Sequence, residues 1–400
     1  MLRNRTNIER TVGNDASAST ASRSSNYKAR MTTQSPRIVN VRPELERIAP
    51  YVPGESLETF SARTNIPIKD VIKLNSNESP YGPAPAVIKA LGNYSNYNNY
   101  PDTGATALRA ALATYTGLDT PYIVLSHGSN ELINLLWHSF LAPGDHIICC
   151  PPTFSLYTFV TTLCGAYVLE VPRTASYEVD VDAILATLTP ETKMIILCSP
   201  NNPTGNLVAE EDVLRLLETG CIVVVDEAYV EFSDSPMGFA HLVPRYSNLI
   251  VLRTFSKWAG LAGLRIGYGL FPEWIAEYMR RAQCPFEVNV AGHIAAIETL
   301  AHLEYVLGNV RRIIEERERL FEVLASQSYL EPFPSQGNFI LARVCEEEVK
   351  MERVRAVIEA HGVMLRYFQY PHQQNFLRVT VGLPEHTEVL ARALTKVKAA

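Results

Sequence analysis

The chain has 400 residues, 47% hydrophobic and 20% charged, an ordinary globular composition with enough length for two or three structural units around a large core. Its net charge of −6, from 36 Lys and Arg against 42 Asp and Glu, argues against a general nucleic-acid or anionic-membrane binder. The balance is uneven: residues 1–40 hold seven Lys or Arg against Glu9 and Asp15, a net +5, so the remainder carries −11.

That basic head comes first in chain order. Its charge ratio and its serines, Ser17, Ser19, Ser22, Ser24 and Ser25, resemble an organelle transit peptide. It has no clear amphipathic helical period, so the expectation over residues 1–40 is a disordered basic tail, with Met31 as an alternative start. It also lacks the apolar core of a secretory signal. The longest apolar runs, such as Ile222 to Val225 and Ile195 to Cys198, are strand-length and far short of the ~20 residues of a membrane span. The seven cysteines form no CxxC pair, which predicts neither a disulfide framework nor a metal site. Buried thiols in a reducing compartment, the cytoplasm, are expected instead.

From about Tyr122 to Phe271, short β-rich runs alternate with helical stretches. Tyr122–Ser126, His146–Cys150, Ala166–Val171, Met194–Ser199, Cys221–Asp226 and Leu249–Thr254 read as strands, with amphipathic segments such as Ser129–Phe140 and Glu210–Glu218 between them. This pattern predicts an α/β fold, its mostly parallel sheet covered by helices on both faces. Ligands of such sheets sit beyond the carboxyl ends of the strands. After Pro285 a long helix is expected from about Val290 to Ala325. Strands at Asn338–Arg343, Val363–Tyr367 and Phe376–Val381 follow, with helices over Glu347–His361 and from Pro384. The expected organisation is an arm over residues 41–78 packing on the small domain, a large domain over 79–287 and a small α+β domain over 288–400.

The strongest local signal is Arg253-Thr254-Phe255-Ser256-Lys257, followed by Gly263-Leu264-Arg265-Ile266-Gly267. A lone lysine after a strand reads as a surface residue closing a loop. Two neighbours in the pattern change that reading. Strand Ile222–Val225 runs into Asp226-Glu227-Ala228-Tyr229, and strand Met194–Ser199 ends in Pro200-Asn201-Asn202-Pro203-Thr204-Gly205. A lysine, an aspartate, a phenol and an amide thus converge on one sheet rim, which suits a pyridoxal-phosphate site. The lysine would carry the cofactor aldehyde. The aspartate would keep the pyridine nitrogen protonated, because an opposite charge favours the charged form. Gly128-Ser129-Asn130 opens a helix after a strand, where phosphate binds readily, and Thr254, Ser256 and Arg265 would complete that cradle. No GxxxxGK[ST], HExxH or GxSxG occurs.

Asn-Pro-Thr-Gly, Asp-Glu-Ala-Tyr, Ser-Lys and Gly-Leu-Arg-Ile-Gly, in this order, resemble the fold type I aminotransferases of classes I and II over roughly residues 45–398. The resemblance implies Lys257 as Schiff-base lysine and proton shuttle, Asp226 under the ring nitrogen, and Tyr229 and Asn202 on the ring's 3′ oxygen. It places Ser129, Asn130, Thr254, Ser256 and Arg265 around the phosphate, with Phe154 stacked on the ring. It also implies a homodimer in which Tyr100 reaches the neighbouring subunit's cofactor.

Within that family, Ile48-Ala49-Pro50-Tyr51-Val52-Pro53-Gly54 and Leu74-Asn75-Ser76-Asn77-Glu78-Ser79-Pro80 resemble the histidinol-phosphate branch. So do Leu365-Arg366 and the run from Asn375 to Gly382. The branch implies Tyr51, Arg366 and Arg378 on a substrate phosphate, Asn77 facing the substrate, and 2-oxoglutarate as amino acceptor. Aromatic amino-acid aminotransferases and threonine-phosphate decarboxylases share most of these motifs. Thr103-Gly104 departs from the branch's pattern while Tyr100 is kept.

Overall fold

A computed structural model of the chain describes residues 41–48, 54–345, 347–368 and 375–398. The tail expected over residues 1–40 and the candidate Tyr51 lie outside the described residues. The chain divides into a unit ending at Glu46, whose described residues enter the short helix Pro43–Arg47, and a unit from Arg47 onward.

The second unit is built on two sheets. The larger comprises β2 (Ile123–Ser126), β3 (His146–Cys149), β4 (Tyr167–Glu170), β5 (Thr192–Cys198), β6 (Ile222–Asp226), β7 (Leu249–Thr254) and β8 (Gly267–Leu270), in the order β2-β8-β7-β6-β5-β3-β4. The pairs among β4, β3, β5, β6 and β7 are parallel. The six strands expected between residues 122 and 254 all form, with ends within two residues of expectation.

The core shows why these apolar runs make buried strands. On β6, Val223 and Val225 enter one hydrophobic cluster while Val224 enters the other, and on β7 Leu249 and Val251 alternate with Ile250 and Leu252. Successive strand residues point to opposite faces, so only a sheet covered on both sides can bury all of them.

Strand β8 was not anticipated. It pairs antiparallel with both β7 and β2, so β2 joins the sheet only through it. Its sequence, Gly267-Tyr268-Gly269-Leu270, hides a strand because glycine weakens β propensity. The glycines answer to close packing: a Cβ on Gly267 would lie 2.5 Å from the Ser129 nitrogen.

The second sheet has the order β1-β11-β12-β10-β9, from β1 (Ile72–Leu74), β9 (Leu330–Pro332), β10 (Phe339–Val344), β11 (Val363–Tyr367) and β12 (Phe376–Thr380). Residues near the N-terminal end of this unit therefore enter a sheet made otherwise of the last third of the chain, β1 running parallel to β11. The single helix expected over 290–325 is two, Val290–Ala301 and Leu303–Ala325, separated at His302 with φ −116° and ψ 36°. No glycine or proline marks that break. Among the described residues, no helix is long and apolar enough to cross a membrane.

Candidate active site

The carboxyl ends of the parallel strands share one rim, and several of the candidate residues lie at it. Cys198 ends β5, Asp226 ends β6, and Thr254 ends β7 three residues before Lys257. Gly267 begins β8 opposite both Thr254 and Ser126, which brings the start of helix Ser129–Phe140 to the same rim. A cavity of about 390 Å³ opens there. Its wall includes Asn77, Ser129, Asn130, Phe154, Asn202, Asp226, Tyr229, Thr254, Ser256, Lys257, Arg265, Arg366 and Arg378. Tyr100 is not among the lining residues: it is 80% exposed and its ring stacks on Phe286, centroids 4.2 Å apart.

Asp226 forms the floor and is buried. Burial pushes its carboxyl up to about 6, opposed by the Tyr157 hydroxyl, which donates to Oδ2 at 2.7 Å, and by the Ala228 N–H, which donates to Oδ1 at 3.1 Å. Phe154 meets the Tyr157 ring edge-on, at 5.6 Å and 88°.

Lys257 Nζ donates to the Ser76 carbonyl at 3.0 Å. Burial lowers its proton affinity to about 8, and the Arg378 cation pushes in the same direction. The Tyr229 hydroxyl accepts from Asn77 Nδ2 at 3.0 Å, and burial holds that phenol protonated across the physiological range. Asn77 is fixed in turn: its N–H donates to Thr380 Oγ1 at 2.9 Å, and its carbonyl accepts from Asn338 Nδ2 at 3.1 Å. The short N-terminal segment therefore reaches the site by bonds to strand β12 and to Tyr229. Asn202 Oδ1 accepts from Arg378 Nη1, leaving the amide's NH₂ edge as its donor.

On the opposite side, Gly128 caps helix Ser129–Phe140 with φ +89°, a left-handed geometry that favours glycine. A Cβ there would stand 2.4 Å from Arg265 Nη2. Thr254 Oγ1 donates to Ser256 Oγ at 2.9 Å, and Arg265 Nη1 reaches the same oxygen at 3.3 Å. Arg265 itself takes φ +52°, strain tolerated where a side chain must be aimed. Hydroxyls, a guanidinium and a helix N-terminus meet here, the groups that bind phosphate.

Arg366 and Arg378 are register partners across β11 and β12, so both belong to one patch of the wall. Arg378 is further held by the Asn75 carbonyl at 2.9 Å. Sequence reasoning did not single out Tyr157, Ser76, Glu78 or Cys198. Glu78 lines the cavity and pairs with Lys73. Its position directly after Asn77 was a usable signal, whereas nothing in the sequence sets Tyr157 apart from its apolar neighbours.

The family model for aminotransferase class I and II matches residues 69–394. A histidinol-phosphate aminotransferase of Dehalococcoides mccartyi is 43% identical over 354 residues, covering 88% of this chain and 96% of that protein. The chloroplastic histidinol-phosphate aminotransferase 1 of Arabidopsis thaliana is 44% identical over 357 residues, covering 88% and 85% respectively. Among solved structures, the histidinol-phosphate aminotransferase of Sinorhizobium meliloti in complex with pyridoxal-5′-phosphate superposes with a TM-score of 0.79 at 25% identity, covering 90% of this chain and 97% of that one. Aspartate aminotransferase from Thermus thermophilus, at 20% identity and a TM-score of 0.75, shares the fold. With a match across four-fifths of its length and the motifs gathered on one cavity, the chain belongs to the class I and II aminotransferases.

Proposed function

We infer that the chain is a pyridoxal-phosphate-dependent transaminase of histidine biosynthesis. It transfers the amino group of L-histidinol phosphate to 2-oxoglutarate, giving imidazole acetol phosphate and L-glutamate. The observation that carries this reading is the pairing of Arg366 with Arg378 on the wall that also holds Lys257 and Asp226. One guanidinium serves a carboxylate, and two suit a phosphate dianion.

The residues present fit the cofactor. Because Gly128 has no Cβ, the Arg265 guanidinium can lie against the start of helix Ser129–Phe140 beside Ser256, a cationic cradle for a phosphate, and the buried Asp226 lies across the same cavity as a match for a cationic ring nitrogen. Bound there, pyridoxal phosphate supplies an electron-accepting ring that stabilises the charge left at the substrate's α carbon when its proton departs. Asp226 would hold a proton on the ring nitrogen by its charge. Tyr229 and Asn202 would hold the ring's oxygen as donors, and Phe154 would supply an apolar wall for the ring. Ser129, Asn130, Thr254, Ser256 and Arg265 would bind its phosphate.

Lys257 Nζ, whose proton affinity lies near neutrality, takes the α-proton as base and returns it as acid. Arg366 and Arg378 hold the substrate phosphate with Tyr51, and Asn77 orients the substrate beside Tyr229. The 2-oxoglutarate carboxylate uses Arg378 in the second half-reaction.

We assign the cofactor groups to a large domain over 79–287 and the phosphate arginines to a small domain over 288–400. The arm, residues 41–78, would lean on the latter, as the pairing of β1 with β11 supports. A homodimer is part of the reading, because the exposed Tyr100 is then available to a neighbouring cofactor phosphate. The cytoplasm is the proposed location, supported by seven free cysteines.

Reconstitution tests the cofactor reading. The wild-type protein should bind pyridoxal phosphate and gain a visible absorption band that Lys257→Ala lacks. A wild type that stays colourless after cofactor addition overturns the reading.

A further inference from the structure

Tyr157 sits in helix Leu156–Leu163, three residues past Phe154, and is fully buried. Its packing and its hydroxyl have separate partners. The ring is held edge-on against Phe154, and its backbone carbonyl accepts from Thr161 Oγ1 at 2.7 Å. Thr161 Oγ1 in turn accepts from Trp137 Nε1 at 2.7 Å. A phenylalanine would satisfy all of these contacts. The hydroxyl points elsewhere, to Asp226 Oδ2 at 2.7 Å with the neutral Cys198 thiol beside it.

The other groups around Asp226 are committed. Lys257 Nζ is directed to the Ser76 carbonyl, and the Tyr229 hydroxyl to Asn77. Glu227 is bound by Arg253 Nε at 2.8 Å and by the Phe239 N–H at 2.6 Å. Burial pushes the Cys198 thiol up to about 12, so it stays neutral, and its Sγ donates to the Pro200 carbonyl at 3.3 Å. Among the described residues, the phenol is the side-chain donor on Asp226 and the Ala228 N–H the backbone one.

We propose that Tyr157 is a positioning residue that keeps Asp226 anionic and thereby keeps the proton on the cofactor's ring nitrogen. The proposal rests on the cofactor reading given above. Two arrangements contain the same proton: a carboxylate facing a protonated ring nitrogen, or a carboxylic acid facing a neutral one. Passing from the first to the second breaks an N–H bond and forms an O–H bond, with no change in electron count. A donor to Asp226 stabilises the first arrangement, since hydrogen bonds to an anion are the stronger ones. Loss of the hydroxyl therefore moves the proton toward Asp226 and weakens the ring's capacity to accept electrons.

The test compares equilibrium affinities of the apoprotein for pyridoxal phosphate and for its 1-deaza analogue, in which a C–H group replaces the ring nitrogen. Tyr157→Phe should weaken pyridoxal phosphate by about tenfold or more, from one lost hydrogen bond to a charged group, and leave the analogue within about twofold. Equal weakening of both ligands would mark a purely structural role and overturn the proposal. If Tyr157→Phe does not fold, 3-fluorotyrosine at position 157, nearly isosteric and a stronger donor, should raise the preference for pyridoxal phosphate over the analogue. An unchanged preference in that protein overturns the proposal as well. A wild type that binds neither ligand overturns the cofactor reading instead, so the two failures are distinguishable.

Discussion

Removing Arg366 separates the substrate from the chemistry. Arg366 and Arg378 face each other in register across antiparallel strands, which brings their Cα atoms to about 4.5–5.5 Å and lets both guanidinium groups reach one anion. Arg378 has its own support from Asn202 and the Asn75 carbonyl, so Arg366→Ala leaves it in place. A charge-assisted hydrogen bond contributes about 1.5–3 kcal/mol, which converts to a roughly 10- to 150-fold loss in kcat/KM for histidinol phosphate. An amino donor with a single carboxylate, held by Arg378, should lose less than about threefold in the same variant. Arg378→Ala should impair both donors, and it also strips Asn202 of its partner. The assay is initial rates of glutamate formation with each donor at saturating 2-oxoglutarate. If Arg366→Ala lowers kcat/KM equally for phosphorylated and unphosphorylated donors, the phosphate-specific role is refuted.

Three further outcomes follow from the same structure. The rate at which apoprotein takes up pyridoxal phosphate should rise as pH passes about 8, where Lys257 loses its proton, and level off above it; Arg378→Ala removes a cation that disfavours the charged lysine and should move the rise to higher pH in stopped-flow absorbance traces. Gly128→Ala combines a left-handed φ with a Cβ driven against Arg265, so cofactor affinity should fall by roughly tenfold in an equilibrium titration. Glu287 is pushed up to about 8, first by burial and then by the neighbouring Glu131. The folded protein therefore holds that proton where the unfolded chain has lost it, and stability should fall as pH rises from about 4.5 to about 8 and be flat beyond. Glu287→Gln should flatten that slope in thermal melts.

Much of the fold was legible because β5, β6 and β7 are nearly unbroken apolar runs, which only strands buried on both faces explain. The site was legible for a related reason: chemistry on such a sheet collects where strands end, and Asp226, Thr254 and Lys257 stand at those ends in the sequence itself. What escaped were features that exist only in three dimensions. Strand β8 is disguised by the glycines that let Ser129 and Phe271 approach it. The break at His302 carries no helix-breaking residue, so nothing local announced it. Tyr157 is core, and its sequence neighbourhood carries no motif; only the closeness of its helix to the end of β6 brings its hydroxyl to Asp226. The role that the resemblance gives Tyr100 involves a second subunit; within the single chain its ring lies on the surface, stacked on Phe286.

The central claim is most directly tested by comparing kcat/KM for histidinol phosphate, phenylalanine and threonine phosphate in the pyridoxal-phosphate-loaded enzyme, with 2-oxoglutarate as acceptor and glutamate as the measured product. One glutamate should form per histidinol phosphate consumed, with histidinol phosphate the preferred donor. Preference for phenylalanine, or consumption of threonine phosphate with carbon dioxide released and no glutamate formed, would contradict it.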